Sequence, residues 1–363
     1  MVAAATRLSR VDGEAGQLIL RGYAVEDLAP LASFEDVAYL LLYGKLPDAG
    51  ERTEFVRDLA SRRKLPDAAI ALLRDAAAAR TPPIDSLRMA AGTFSLGCSG
   101  NPGEDALTAI AAFPTVLGAY WRLMHGREPL PIRPELSHAA HCLYQTFGGE
   151  PDAARVRALE TYWNTVADHG LNASTFTCRV IASTRSDLIS AVTGALGALK
   201  GPLHGGAPGP VLDMVREIGT ADRAELVLRA RLDRGERLMG FGHRIYKVRD
   251  PRADVLAFAC EKLYASGGAS TLYELARAVE DTARRLLAEY KPGRRLDTNV
   301  EFYTALLLDG LGFPNEMFTP AFAAGRVVGW SAHFFEQLQE GRLIRPQSTY
   351  TGPEGLRYQA AAS

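Results

Sequence analysis

Two of the seven histidines sit in glycine-rich turns, His204 in Lys200-Gly-Pro-Leu-His-Gly-Gly206 and His243 in Met239-Gly-Phe-Gly-His-Arg244. Glycine lets backbone and ligand approach closely. Imidazole exchanges a proton near neutral pH, so the two rings are placed to polarise two different carbonyl oxygens. A carboxyl candidate, Glu301, lies between apolar neighbours in Leu296-Asp-Thr-Asn-Val-Glu-Phe-Tyr303. Burial there would lift its pKa toward general-base range; the same acid would also suit the first turn of a helix, with Asp297 as the expected cap. His169, in Val166-Ala-Asp-His-Gly-Leu-Asn-Ala-Ser-Thr175, again stands beside glycine, and on its own reads more readily as a satisfied structural histidine. His125, His138, His141 and His333 lack such surroundings and read as structural.

Between residues 223 and 252, nine Lys or Arg residues face four acids. Such runs are usually the solvated face of a helix, but this one closes on the His243 turn and on Asp250-Pro251-Arg252. Phosphates or carboxylates fit there. Arginine's planar fork binds carboxylates bidentately, so Arg252, Arg326 and Arg345 are candidates for gripping a dicarboxylate, although alone each reads more readily as a structural ion pair.

The elements that must hold these groups are mainly helical. Apolar periodicity of the helical kind dominates after a strand-like Leu18-Ile19-Leu20, which follows a turn at Asp12-Gly13. Ser33-Phe-Glu-Asp36 is a capping signature for a helix through residue 43, with Gly44 as its stop. Further helices are predicted over 51–63, 67–79, 104–125, 135–147, 153–166 and 187–200. The last is apolar nearly all round and carries Gly194 and Gly197, as a buried helix in close contact with another would, or one at a subunit interface. At 363 residues two domains are expected. With no repeat and no flexible linker, the second would be inserted in the first, with Pro208-Gly209-Pro210 and Gly312-Phe313-Pro314 as hinges.

The composition, 47% hydrophobic and 23% charged with a net charge of −1, carries no global signature of nucleic-acid or membrane binding. Four widely spaced cysteines without a C-x-x-C predict reduced thiols and no zinc or other metal site. No run approaches 18 apolar residues and the first ten residues lack a secretory stretch, so a cytoplasmic protein is expected.

Together these segments resemble the citrate synthase family nearly end to end. The opening Asp12-Gly-Glu and Arg21-Gly-Tyr-Ala-Val-Glu-Asp-Leu28, with residues 34–47, is similar to the family's start. Five longer motifs then follow in family order: Ala167-Asp-His-Gly-Leu-Asn-Ala-Ser-Thr175; Gly201-Pro-Leu-His-Gly-Gly206; Met239-Gly-Phe-Gly-His-Arg-Ile-Tyr-Lys247 with Asp250-Pro-Arg252; Asn299-Val-Glu-Phe-Tyr303; and Arg345-Pro with Tyr350-Thr-Gly352. The resemblance implies an all-α homodimer, with a large domain of residues 1–207 and 315–363 and an inserted small domain of 208–314. The active site would lie in the cleft between them and close on the first substrate.

The reaction so implied condenses oxaloacetate with acetyl-CoA through an enol and hydrolyses citryl-CoA to citrate and CoA, with no metal and no cofactor beyond the acyl-CoA substrate. By resemblance Glu301 is the base, His204 hydrogen-bonds the thioester oxygen, and His243 polarises the oxaloacetate carbonyl. His169, Arg252 and Arg326 would hold the dicarboxylate, with Arg345 reaching in from the partner subunit. Lys247 would meet a CoA phosphate, and the backbone of Leu238, Met239, Gly240, Phe241 and Gly242 the adenine. The chain departs from the family pattern in having Glu301 for the usual aspartate, Ala207-Pro-Gly209 where an Asn-Glu pair is common, and Gln347 for a frequent arginine. The alternatives are a 2-methylcitrate synthase using propionyl-CoA and a non-catalytic binder of oxaloacetate and CoA.

Overall fold

The computed structural model describes residues 4–243, 245–267 and 271–358; Arg244, which closes the quoted His243 turn, lies outside them. Three short antiparallel strands open the chain: β1 (Ser9–Asp12), β2 (Gln17–Leu20) and β3 (Tyr23–Ala24), with Ser9 opposite Leu20 across the first hairpin. Alternation on β2 sends Leu18 and Leu20 into the core, both fully buried.

Apart from short 3₁₀ turns, the other regular elements among the described residues are helices. The first ten are α1 (Val25–Leu28), α2 (Phe34–Tyr43), α3 (Ala49–Ser61), α4 (Asp67–Ala78), α5 (Pro83–Thr93), α6 (Pro102–Met124), α7 (His138–Phe147), α8 (Ala153–Val166), α9 (Ala173–Ser183) and α10 (Leu188–Leu199). Then come α11 (Gly209–Ile218), α12 (Ala224–Asp233), α13 (Pro251–Gly267), α14 (Thr271–Tyr290), α15 (Val300–Gly310) and α16 (Phe318–Glu340). α2 begins as its sequence dictates. Ser33 Oγ accepts the Asp36 N–H at 3.1 Å, the Asp36 carboxylate accepts the Ser33 N–H at 3.4 Å, and Gly44 ends the helix at a φ of 83°.

Pro208-Gly209-Pro210 is not a free loop: Gly209 and Pro210 form the first turn of α11, where proline's missing N–H would find no helical partner anyway. Gly312-Phe313-Pro314 does lie between α15 and α16. Residues 208 and 314 therefore flank a block of five helices, α11 to α15. α6 is long and apolar enough to cross a membrane by length and composition, yet 72% of its apolar window is buried inside the protein.

Glycines set the closest helix crossings around the site. A Cβ on Gly329 of α16 would lie 2.1 Å from the Ala167 carbonyl oxygen, and one on Gly325 would lie 2.6 Å from the Trp163 ring of α8. α16 thereby passes directly beneath the turn that follows α8 and carries His169, with Arg326 between the two glycines. A Cβ on Gly194 would meet Ile181 at 2.3 Å, which brings α10 hard against α9. Gly197 faces open space in the single chain.

Candidate active site

α9 and α16 hold His204. Asn172 caps α9 by accepting the Thr175 N–H at 3.1 Å, which places Ser174 in the first turn. Ser174 Oγ lies 2.8 Å from His204 Nε2 and 2.8 Å from Asn172 Oδ1, and it accepts the Trp330 indole N–H at 3.1 Å. Indole only donates, so the single hydroxyl proton of Ser174 goes to Asn172 or to His204; in the second arrangement His204 carries its own proton on Nδ1, free to donate. Gly205 lets the turn fold back on α10: its N–H donates to the Leu199 carbonyl at 2.9 Å, and a Cβ there would lie 2.6 Å from that oxygen. Burial, aided by the positive charge of Arg326, pulls His204 down to about 4, so the ring is neutral at pH 7.

His243 is fixed by its own loop. Its Nδ1 accepts the Ile245 and Tyr246 N–H groups at 3.0 and 3.1 Å, which leaves the proton of the neutral ring on Nε2. Nε2 lies 3.4 Å from Arg252 Nη2. Two donors meeting at one place suit an oxygen acceptor, such as a keto or carboxylate oxygen. Arg252 is buried and gripped in bidentate fashion by Asp250, Nε to Oδ1 at 3.0 Å and Nη2 to Oδ2 at 2.8 Å. Asp250 also accepts the Arg252 N–H at 3.1 Å and the Val300 N–H at 3.4 Å, so one carboxylate orients a guanidinium and joins the starts of α13 and α15. Burial and Arg252 together hold His243 at about 4.

Glu301 is the second residue of α15. The cap of that helix is Asn299, whose Oδ1 accepts the Glu301 N–H at 3.0 Å; Asp297, expected in that role, instead stands 3.7 Å from Arg284 and from Arg295. Asn299 alone lies directly before the first helical residue, where a cap must be. Among the described residues the Glu301 carboxylate has no hydrogen-bond or ion-pair partner. Burial lifts it to about 7 against the pull of Arg252 and Arg326.

Arg326 ties the parts together. It is buried on α16, its Nε donates to the Val166 carbonyl at 2.5 Å, and its Nη1 has no partner among the described residues. A buried, unmatched guanidinium nitrogen is destabilising until an acceptor arrives, and a ligand carboxylate is such an acceptor. The charge of Arg326 acts on Glu301, His204 and His169 alike. His169 Nε2 lies 3.1 Å from the Tyr246 hydroxyl, and its ring centroid is 5.9 Å from that of His243. The neighbouring Asp168 accepts from Ser9 and pairs with His333 Nε2 at 3.1 Å, so the structural His333 steadies the turn that presents His169.

Other candidates sit at the margin. Lys247 Nζ pairs with Glu14, and both are largely exposed, a weak contact that another anion could displace. In the 238–242 turn, the Gly240 carbonyl accepts the Asn299 N–H at 2.9 Å and the Gly242 N–H donates to the Asp297 carbonyl at 2.8 Å, which stitches the turn to the start of α15. Arg345 is exposed beyond α16 and is not brought to the other site residues within one chain; among the described residues it has no side-chain partner. Residue-type reasoning gave no role to Ser174, Tyr246, Asp250 or Asn299. The usable signal for the last two was position: each directly precedes a helix start, where an Asp or Asn side chain is a cap.

Residues 1–347 match the family model described as citrate synthase, C-terminal domain. The citrate synthase of Haloferax volcanii is 40% identical over 370 residues, covering 99% of this chain and 96% of the relative. A crystal structure of citrate synthase from Thermotoga maritima superposes with a TM-score of 0.85 at 39% identity, covering 98% of this chain and 95% of that one. The ternary complex of carboxymethyl coenzyme A and oxaloacetate with citrate synthase from the archaeon Thermoplasma acidophilum does so with a TM-score of 0.87 at 31% identity, covering 98% and 96%. With the match running along almost the whole chain in sequence and in fold, the chain belongs to the citrate synthase family.

Proposed function

We propose that the cleft condenses oxaloacetate with acetyl-CoA, with Glu301, His204 and His243 as its reacting groups. The chain is an acyltransferase of the citrate synthase type, and the substrates follow from its family together with the ligands of the Thermoplasma acidophilum complex. Glu301 takes a proton from the acetyl methyl group while His204 donates a hydrogen bond to the thioester oxygen, so charge leaving the C–H bond is held as an enol. The methyl carbon then forms a C–C bond to the keto carbon of oxaloacetate, and His243 Nε2–H delivers its proton to the oxygen that becomes the hydroxyl. Water attacks the citryl thioester carbonyl, the C–S bond breaks, and citrate and CoA leave. His169, Arg252 and Arg326 hold the two carboxylates, and Lys247 with the 238–242 turn receives CoA.

The observation that carries this reading is the pair of donors, His243 Nε2–H and Arg252 Nη2, meeting 3.4 Å apart beside an unmatched Arg326 nitrogen and an unpaired Glu301. Four groups of this kind suit a ketodicarboxylate next to a carbon acid. A homodimer in which Arg345 of each chain completes the other's site fits the exposed Leu343, Tyr350, Leu356 and Tyr358 of the C-terminal segment, and four unpaired thiols suit a cytoplasmic location. The test is thiol release from acetyl-CoA and from propionyl-CoA in the presence of oxaloacetate. A higher kcat/KM for acetyl-CoA is expected; preference for propionyl-CoA, or no release from either, overturns the proposal.

A further inference from the structure

We infer that the N-terminal β1–β2 hairpin is a positioning strut that sets the spacing of His169 and His243, with Ser9 and Gly13 as its two points of attachment. This rests on the proposed role of those histidines in holding oxaloacetate. At one end, Ser9 Oγ donates to Asp168 Oδ2 at 2.5 Å and accepts the Gly170 N–H at 2.9 Å, gripping the residues on either side of His169. At the other end, the Gly13 carbonyl accepts the Lys247 N–H at 2.9 Å, directly behind the Ile245 and Tyr246 amides that fix His243 Nδ1. Between the two lies β1, four residues and about 13 Å of stiff extended chain. β2 anchors the hairpin through the fully buried Leu18 and Leu20.

Gly13 is a glycine for a reason other than conformational freedom, because its φ lies outside the left-handed region. A Cβ at that position would stand 2.3 Å from the Ile245 carbonyl oxygen and 2.9 Å from its carbon. Both obstacles are backbone, so no side-chain rotation relieves them. The Ile245 peptide would have to retreat by about 1 Å to reach ordinary van der Waals separation. Gly16 repeats the close approach, its Cβ position lying 2.6 Å from Val248 Cγ2. The hairpin and the His243 loop therefore meet backbone to backbone, and a displacement at residue 13 passes straight to the amides that orient His243. Loss of the Ser9 hydroxyl frees the other histidine from the same strut.

The experiment compares Gly13→Ala, Ser9→Ala, Ser9→Thr and the double variant Ser9→Ala/Gly13→Ala in the full chain, reading kinetics, the oxaloacetate dissociation constant by calorimetry, and the unfolding midpoint. A displacement of about 1 Å in a reacting group lowers rate on the order of 100-fold, so Gly13→Ala is expected to reduce kcat/KM for oxaloacetate by about 10- to 100-fold. Its unfolding midpoint should stay within a few degrees while oxaloacetate affinity falls, a split that general loosening of the fold would not give; because the Gly13 carbonyl also holds the Lys247 N–H, the KM for acyl-CoA is expected to rise with it. Ser9→Ala should act in the same direction with Ser9→Thr largely restoring function, and the double variant should lose less than the product of the singles because both act through one strut. Should Gly13→Ala fail to fold, Ser9→Ala against Ser9→Thr gives the same decision. Unchanged oxaloacetate kinetics and affinity in Gly13→Ala and Ser9→Ala overturn the inference. A wild-type chain that binds oxaloacetate but releases no CoA overturns the proposed reaction alone, since the calorimetric comparison still reads the strut; one that does neither overturns both.

Discussion

Asn299 Nδ2 donates to the Gly242 carbonyl at 2.7 Å, so the start of α15 and the turn leading into His243 are held as one unit. The same side chain caps α15 through Oδ1, which makes one asparagine responsible for the relative placement of Glu301 and His243, the proposed base and acid. Asn299→Ala should lose about 1 kcal/mol of stability from the missing cap and about 10- to 100-fold in kcat from the freed geometry. Asn299→Asp keeps the acceptor for the Glu301 N–H, loses the donor to Gly242, and adds a carboxylate near Glu301. Its stability should stay close to wild type while the acid limb of its pH profile moves up. Denaturant unfolding and pH-rate profiles on the two variants check both points, and an unmoved profile in Asn299→Asp argues against close coupling.

As the proposed base Glu301 acts only when ionised, and burial raises its pKa to about 7. kcat/KM should accordingly rise with pH through about 7 and level off above it, roughly two units higher than an exposed carboxylate would give. Glu301→Gln should abolish turnover while oxaloacetate still binds. Glu301→Asp draws the carboxylate back by one methylene and is expected to lose on the order of 100-fold in rate, the converse of a backbone set for the longer side chain. An aspartate variant as fast as the wild type would mean that the cleft is not tuned to glutamate.

The residues proposed to carry the chemistry each sit in a local sequence pattern: His204 and His243 in glycine turns, Arg252 after Asp-Pro, Glu301 at the head of an apolar helix. The capping box of α2 was legible for the same reason, being complete within residues 33–36. What could not be read were relationships across long separations. Ser174 beside His204, Ser9 bonded to Asp168 and Arg326 acting on Glu301 join residues that only the folded backbone brings together. Asp297 has the residue type of a cap, yet the cap is Asn299, two residues on, and the offset depends on where helical φ and ψ begin.

Ser174 gives a test of the His204 tautomer. With its hydroxyl proton on His204 Nε2, the ring presents Nδ1–H; without it, either nitrogen can carry the proton. Ser174→Ala should reduce kcat by about 10- to 100-fold with little change in KM for oxaloacetate. Deuterium exchange at the acetyl methyl group, followed by NMR, should slow in parallel. Normal exchange with slow product formation would move the role of Ser174 to a later step.

Acid should weaken the fold through buried histidines away from the cleft. His138 and His141 are fully buried; among the described residues both ring nitrogens of His138 and Nδ1 of His141 lack partners, and burial beside Arg63 drives both groups down, His141 to about 3. Below about pH 6.5 the unfolded chain binds more protons than the folded one, so their contribution is complete above that pH and declines as pH falls, by up to about 1.4 kcal/mol per pH unit for each group. Glu160, raised by burial to about 7, has the opposite sign and offsets part of this slope. Denaturation midpoints at pH 7, 6 and 5 should fall in that order, and Glu160→Gln should steepen the fall. Equal midpoints would mean that the two rings find acceptors when protonated.

Arg345 decides whether the site is shared between chains. It is exposed beyond α16 and, among the described residues, its side chain has no partner, so in a single chain nothing orients it toward Arg252 or Arg326. If each cleft borrows Arg345 from the partner subunit, Arg345→Ala and His204→Ala should both be nearly inactive alone, the first through oxaloacetate KM and the second through kcat. Co-expression then creates heterodimers in which one cleft has the native His204 and receives a native Arg345, while the other lacks both. Random pairing makes half of the dimers mixed, each with one working cleft, so about a quarter of wild-type activity should return. An arginine acting within its own chain leaves every cleft of the mixture defective and restores nothing. Purifying the heterodimer on two different tags before assay separates this result from poor pairing, and a verified heterodimer without activity would place Arg345 outside the partner's cleft.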